Sequence, residues 1–429
     1  MRVHIKKGLN LRSGNIPDNT ISAIKQARTC ALLGRDYPGS RLQVVADEGT
    51  PVKAGEPVLC DRRRPEILFT SPVSGTVTAA HRGARRKLIS LEITSDGKGD
   101  SIQFDIPTSL DHDNIQRLML QSGLWATLRS RPFGHIPAPG RNPKALLVTA
   151  IDTQPLAPDP AVIISKYINE FSCGLKTLCD LVLASVFLCK SSTADFQFDD
   201  SCRAEVVEFD GRHPAGLVGT LIHRLCPIGF NNEEVWHIEY QDVISLGHMI
   251  STSRPWFERV ISLAGPAVKN PRLIRVPLGA GIGDITDGEL VDISARVISG
   301  SVLSGHTAFG HEASLGQRHR QVTAIFNTDS TQSNGSPRTL FNTGIGDEAD
   351  ALIPTTDLDA VAPPGILAVP LLRALLVGDV ERARDLGALE LVEEDLALLS
   401  YTCPSKTDYG PLLRDLLEQM YKEGLSARG

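Results

Sequence analysis

Residues 205–242, EVVEFDGRHPAGLVGTLIHRLCPIGFNNEEVWHIEYQD, constrain the fold more than any other stretch of the chain. Val207 and Phe209 alternate with polar residues, a short strand signal that ends on the turn pair Asp210-Gly211. After His213-Pro214-Ala215-Gly216, the residues Leu217, Val218, Leu221 and Ile222 share one face of a helix. A second strand signal follows at 235–238, and Gln241-Asp242 opens another helical pattern. Strand, glycine-rich turn, helix, strand, helix is the rhythm of an open α/β sheet, which places ligands at its strand ends. Gly216 and Gly219 let another backbone or a ligand approach, and a helix start there favours an anion. His213, Gly216 and Gly219 are therefore candidate ligand contacts; the same turn read only as a connection fits the pattern equally well.

A chain of 429 residues has room for two to four such units. The net charge of −6 argues against a nucleic-acid partner. The opening MRVHIKKGLN has charge but no apolar run behind it, so no signal peptide is expected. The most apolar stretch, 361–377, contains Arg373 and the prolines Pro363, Pro364 and Pro370, and cannot cross a bilayer as a plain helix. The eight cysteines include no C-x-x-C and sit in apolar runs such as LCDLVLASVFLC, which predicts reduced core thiols. Seven of the eleven histidines fall between 213 and 319, yet none form H-x-x-x-H or H-E-x-x-H, and no metal site is expected.

The N-terminal part is β-rich. LQVVADEGTPVKAGEPVL (42–59) is an alternating strand broken by two glycine turns, and ILFTSPVSGTVTA (67–79) repeats the theme. Together they resemble the two halves of a biotinyl/lipoyl carrier domain over roughly residues 40–95. At the place where that resemblance puts a modifiable lysine stands Arg64, which has no nucleophilic amine. The module is expected to be structural. Arg62 to Arg64 and His81 to Lys87 make it locally basic, either as solvated hairpin tips or as contacts for acidic subunits or anionic head groups.

Residues 109–143 begin as a helix with Leu118, Met119 and Leu124 on one face and end in a Pro/Gly-rich loop. KALLVTAID (144–152) suits a buried parallel strand, 164–182 is helical in period, and LASVFLCK reads as the next buried strand.

The segments GLWATLRSRPF, KALLVTAIDTQPLAPDPAVI, HPAGLVGTLIHRL, VWHIEYQDVISLG, AGPAVKNPRLIRVPLGA, RVISGSVLSG and KTDYGPLLRDLL occur in that order. Together they closely resemble the NqrA family of the bacterial Na+-translocating NADH:quinone reductase, over essentially the whole chain. More distantly the chain is similar to the flavin-bearing NADH-oxidising subunit of complex I and to the C subunit of the Rnf complex. The resemblance implies a peripheral subunit on the cytoplasmic face of the bacterial inner membrane, in a six-subunit complex that passes electrons from NADH to ubiquinone and exports Na+. Its chief partners would be the membrane subunits. FMN, FAD, a 2Fe-2S cluster and riboflavin are expected only in those partner subunits.

In the distant relatives the stretch matching 123–129 is a glycine-rich loop that cradles flavin and nucleotide. Here Trp125, Thr127 and Leu128 put side chains in that space. Cys403 stands where the relatives carry several cluster cysteines, and one thiolate cannot hold a four-iron cluster. No redox cofactor is therefore expected in this chain; a stand-alone NADH-oxidising flavoprotein or a quinone-independent scaffold subunit is the rival reading, and a lipoylated carrier is disfavoured by Arg64.

Residues 257–326 hold short strands between glycine turns, for which the resemblance implies a β-grasp, ubiquitin-like domain. Their G-x-G loop, 279–283, lacks the strand–helix–acid context of a dinucleotide site. TDSTQSNGS (328–336) reads as a polar linker, and helical patterns follow, with Asp379 as an N-cap. The expected architecture is multidomain α+β and α/β: a biotinyl/lipoyl-like barrel module at 1–108, a Rossmann-like α/β domain at 109–256, the β-grasp domain at 257–335 and a C-terminal helical bundle at 336–429. A quinone head group needs an apolar or stacking wall and a donor for its carbonyls. Tyr37, at the end of LLGRDY, and Arg131 and Phe133, in RPF, supply those groups and are the candidate quinone contacts; ordinary turns or inter-domain packing are the alternative.

Overall fold

The run ALLVTA is stable as a strand only with both of its faces covered. The structure, a computed structural model, describes residues 1–11, 14, 16–198, 202–228, 233–327 and 352–424. In it Ala145–Ala150 is a strand with all six residues buried. It lies inside a six-stranded sheet ordered Arg2–Ile5, Glu205–Gly211, Ser185–Ser191, Ala145–Ala150, Val235–Glu239, Arg129–Arg131. The first five strands run parallel and the last is an antiparallel edge. Alternate residues serve opposite faces. Leu146 and Val148 pack with Trp236 and Ile238 against helices Ile168–Leu181 and Tyr240–Thr252. Ala145 and Leu147 pack with Val207 and Phe209 against helix Val218–Leu225.

Two glycines set the spacing of the long helix pair. A Cβ on Gly174 would lie 2.0 Å from the carbonyl oxygen of Val243, and one on Gly247 would lie 1.8 Å from that of Glu170. The helices therefore meet backbone to backbone. The helix expected across 164–182 is two helices, Pro160–Lys166 and Ile168–Leu181, because Tyr167 leaves the helical conformation between them.

The predicted hairpins of the N-terminal part form two small sheets. One is ordered Thr29–Leu33, Leu88–Ser95, Gly75–Arg82, Pro51–Val52, and the other Leu42–Val44, Pro57–Asp61, Arg64–Thr70. The unit expected at 1–108 does not keep its first two strands. Arg2–Ile5 joins the α/β sheet, where Val3 packs on the Val207–Phe209 cluster. Asp18–Ile24 pairs with Arg272–Pro277 in the remaining sheet, ordered His306–Thr307, Arg296–Ser299, Gln321–Ile325, Glu258–Ala264, Arg272–Pro277, Asp18–Ile24. The chain thus threads through its later units before it builds the first. The 279–283 loop leads only into the short helix Ile282–Thr286.

The C-terminal part is helical, with Thr356–Val361, Ala368–Val377, Val380–Asp385, Ala397–Thr402 and Tyr409–Glu423 around one apolar cluster. Asp379 caps its helix by accepting from the Arg382 N–H. The expected linker at 328–336 lies outside the described residues. Among the described residues no helix is long and apolar enough to cross a membrane. The molecule is a mixed α+β protein with several sheets.

Candidate functional site

The strand order reverses between Ala145–Ala150 and Val235–Glu239, since the chain runs from the first toward Ser185–Ser191 and returns to lay the second on the other side. Loops that diverge at such a point leave a crevice at the carboxyl ends of the strands. Here it is a cleft of about 770 Å³, with Thr149, Asp152, Glu239 and Tyr240 at the strand ends. Every other part of the fold contributes a wall: Tyr37 from the N-terminal sheets, Arg320 from the second large sheet and Glu393 from the C-terminal helices.

Charge in and beside the cleft is dense and buried. Arg318 Nε lies 2.9 Å from Glu239 Oε1, and Arg320 Nη2 lies 2.6 Å from Glu239 Oε2. Arg259 Nη2 is 2.6 Å from Asp242 Oδ1. Burial pushes the Glu239 carboxyl up, but the Arg320 and Arg318 charges outweigh it and hold the group below the usual carboxylate range. Asp152 has no ion-pair partner of this kind among the described residues. Burial, with the Glu239 and Glu394 charges added, pushes its carboxyl up to about 7 against the opposing Gln154 N–H and Arg320. Burial likewise raises Asp395 to about 7, with Arg131 opposing and Glu394 adding. Of these two raised carboxyls Asp152 lines the cleft, and Asp395 lies buried behind Glu393 and Glu394 of its wall.

Tyr37, Arg131 and Gly216 all line this cleft, so three stretches that are far apart in the chain converge. Tyr37 is buried edge-on against Phe69, 4.4 Å between centroids, with the Arg129 guanidinium 5.9 Å from its ring. Arg131 is wholly buried. Its Nη1 donates to His237 Nε2 at 3.0 Å, and Nη2 stands 3.8 Å from both Glu394 and Asp395. Nε and Nη2 have no hydrogen-bond partner among the described residues. Burial, then the Arg131 charge, hold His237 well below the usual imidazole range, so it accepts from the guanidinium as a neutral ring.

Phe133 points elsewhere. It packs into the C-terminal helical cluster, 5.3 Å from the Tyr421 ring, and lines a separate cavity of about 230 Å³ with Ile136 and Leu389. Its φ of 80° is uncommon for an aromatic residue and is held by the turn around it, where the Gly134 N–H bonds the Ser130 carbonyl and Arg414 bonds the Phe133 carbonyl.

His213 is buried with Nδ1 3.0 Å from Thr153 Oγ1, and burial lowers it to about 4 against the opposing effect of the Thr153 backbone. Gly219 faces Asp395: a Cβ there would lie 2.4 Å from Asp395 Oδ1. The start of helix Val218–Leu225 is thus covered by the chain's own Asp395 side chain, which an outside ligand would have to displace.

The other expected features have clear places. Trp125 is buried in a 3-10 turn, Leu124–Thr127, with its indole N–H donating to the Pro137 carbonyl at 2.9 Å and its ring edge-on to Trp236. Leu128 beside it is fully buried. These residues occupy the loop with their own bulk. Thr127 is only half-buried and bonds back to Leu124. Cys403 is buried against Ser405 and Tyr409, with Sγ 3.0 and 3.3 Å from their hydroxyls, which suits a core thiol. Arg64 starts a strand and reaches the Ile136 carbonyl at 3.2 Å, so it ties the N-terminal sheets to the next unit. One cluster escaped the sequence spacing rules: His81, Glu92 and His311 bring their ligand atoms within 4.8 Å of one another.

Known proteins similar to this chain agree along its length. Family descriptions match in three consecutive parts: the NqrA N-terminal barrel-sandwich hybrid domain over 3–96, the NqrA second alpha/beta domain over 110–254 and the NQRA C-terminal domain over 260–309. The NqrA protein of the Na(+)-translocating NADH-quinone reductase from Neisseria meningitidis serogroup B is 42% identical over 448 residues, covering 98% of this chain and all of that protein. Its counterpart of the same name from Pseudomonas aeruginosa PAO1 is 40% identical with the same coverage. Among solved structures, a NAD+-reducing [NiFe]-hydrogenase in its H2-reduced state aligns with 75% of this chain and 64% of its own at 12% identity, with a TM-score of 0.39. That score is too low to establish a shared fold.

Proposed function

The chain belongs to the NqrA family of the Na+-translocating NADH-quinone reductase, and from that premise we propose that it supports the ubiquinone-reducing end of the complex without a redox cofactor of its own. It would do so as a peripheral subunit on the cytoplasmic face of the inner membrane, one of six and docked chiefly on the membrane subunits. We read its units as a barrel-sandwich module, a Rossmann-like α/β domain, a β-grasp domain and a C-terminal helical bundle.

The observation that carries this reading is the likeness to NqrA proteins over 98% of the chain and the relatives' full length. The packing of Trp125 and Leu128 supports the absence of a flavin, and the lone buried Cys403 supports the absence of a cluster. Arg131, whose Nε and Nη2 are buried and without a hydrogen-bond partner among the described residues, would donate to a quinone carbonyl that displaces the side chains covering it, while Tyr37 and Leu217 supply apolar wall. Phe133 would act from its neighbouring cavity by holding the turn that carries Arg131.

The test uses the intact complex. Arg131→Lys and Tyr37→Leu should raise the KM for ubiquinone several-fold, by roughly one or two hydrogen bonds' worth of affinity, while the subunits still assemble. Phe133→Ala should weaken quinone or inhibitor affinity less. Unchanged quinone kinetics in a fully assembled complex overturn the quinone assignment. The purified chain should lack flavin absorbance, iron and any lipoyl-sized mass increment; stoichiometric amounts of one of them overturn the no-cofactor reading.

A further inference from the structure

His81 and Glu92 lie on the adjacent antiparallel strands Gly75–Arg82 and Leu88–Ser95, and His81 Nε2 is 3.1 Å from Glu92 Oε1. A bulge between Val77 and Ala79 shifts the register there, and Glu92 pairs with Ala79. His311 comes from a different unit, the 3-10 turn Gly310–Glu312 that follows strand His306–Thr307 of the second large sheet. Its ring stacks on that of His81 with centroids 3.6 Å apart and planes 20° from parallel. His81 and Glu92 are half-buried, and His311 is exposed.

Imidazole ligates a metal through a ring nitrogen in its neutral form. All three potential ligand atoms lie within 4.8 Å of one another. A tetrahedral ion about 2.0–2.2 Å from each ligand needs separations of about 3.5 Å with each ring nitrogen aimed at it, so the exposed His311 ring would turn out of the stack to meet the ion. Two imidazole nitrogens and one carboxylate oxygen suit a borderline divalent ion such as Zn2+ rather than Mg2+ or Ca2+.

We propose that His81, Glu92 and His311 form a binding site for Zn2+ or a similar late first-row divalent cation, with a fourth position left to water, that clamps the N-terminal sheets to the second large sheet. The location gives the clamp a consequence. Arg35 bridges the same two units through Glu312 at 3.5 Å, and Asp36 and Tyr37, next in the chain, form part of the cleft wall. An ion at the site would stiffen that wall.

The experiment uses the full chain, freed of metal by a chelator, with Zn2+ by calorimetry and Co2+ by visible absorption as probes. One equivalent should bind, Co2+ should give the intense d–d bands of a low-coordinate site, and the thermal midpoint should rise with Zn2+ and fall back on chelation. His311→Ala removes an exposed side chain and so leaves the fold intact; it and His81→Ala should each weaken binding more than tenfold, the scale on which even outer-shell changes act. His4→Ala, an exposed histidine elsewhere, should change nothing. Absence of stoichiometric binding by the wild-type chain, or binding that survives His81→Ala and His311→Ala together, overturns the proposal.

Discussion

Gly219 and Asp395 show how a single missing methyl sets a contact. The Asp395 carboxyl is pinned by the Val392 N–H at 2.8 Å and faces Arg131, so it has little room to yield to a Cβ placed 2.4 Å from Oδ1. Gly219→Ala should therefore destabilise the chain by about 1–3 kcal/mol through overpacking, read as a lower urea midpoint. Asp395 itself carries a pH signature. Its pKa is about 7 in the fold, against about 3.9 in an unfolded chain. The folded state then binds more protons between those values, so stability falls as pH rises through the window. The contribution is full below about pH 4 and gone above about 7. Asp395→Asn cannot titrate, so the variant should gain on the wild type as pH goes from 5 to 8; urea midpoints that stay parallel across that range would show that Asp395 is ionised throughout. His213 acts in the opposite sense, since burial lowers it to about 4 and its contribution is lost as pH falls from about 6.5.

The helix pair Ile168–Leu181 and Tyr240–Thr252 tests the same logic at the level of an element. Replacing glycine by alanine in a helix gains about 1 kcal/mol of propensity when space is open. At Gly247 the new methyl would sit 1.8 Å from a backbone carbonyl that cannot rotate away, so separating the helices should outweigh that gain and leave a net loss of about 2–3 kcal/mol. At Gly283, in the short helix Ile282–Thr286, nothing lies within 4 Å and the substitution should be neutral or slightly stabilising. Thermal melts of the two variants side by side check the contrast. Elements of this kind were readable from local pattern: 145–150 from its unbroken apolar run, 205–211 from its alternation, the helix after Asp379 from its cap. The partners of Arg2–Ile5 and Asp18–Ile24 were not, because pairing across the whole chain leaves no mark in a short exposed strand. The candidate site divides in the same way. Tyr37, Arg131 and Gly216 sit at element ends, where an α/β fold collects ligand groups, and they do share one cleft. Phe133 left that group because its turn carries φ of 80°, and the approach of Asp395 to Gly219 comes from a helical region far along the sequence. His81, Glu92 and His311 fit no spacing rule since two sheets supply them.

Across the whole molecule one apolar cluster runs through the N-terminal sheets, the α/β sheet and the second large sheet, and charge is also buried where these units meet. Arg259, on strand Glu258–Ala264 of the second large sheet, reaches Asp242 on helix Tyr240–Thr252 of the α/β sheet, and Arg320 reaches Glu239 and Asp242 from the neighbouring strand region. Arg259 and Asp242 are almost wholly excluded from water, at 2% and 3% exposure, so their attraction is offset by the loss of hydration. Arg259→Met keeps much of the stem but leaves Asp242 with only the longer Arg320 contact at 3.4 Å, and should cost about 3–5 kcal/mol. Replacing both partners, as Arg259→Met with Asp242→Leu, removes the stranded charge along with the pair. The double variant should recover most of that loss, while Arg320 keeps Glu239 at 2.6 Å. Urea denaturation of the wild type, both single variants and the double variant closes the cycle. A double variant as unstable as the sum of the singles would mean that the two residues are not coupled and that each is held by its other contacts. A recovered double variant would mean that the pair chiefly penalises wrong partners, and that apolar packing beneath it supplies the cohesion.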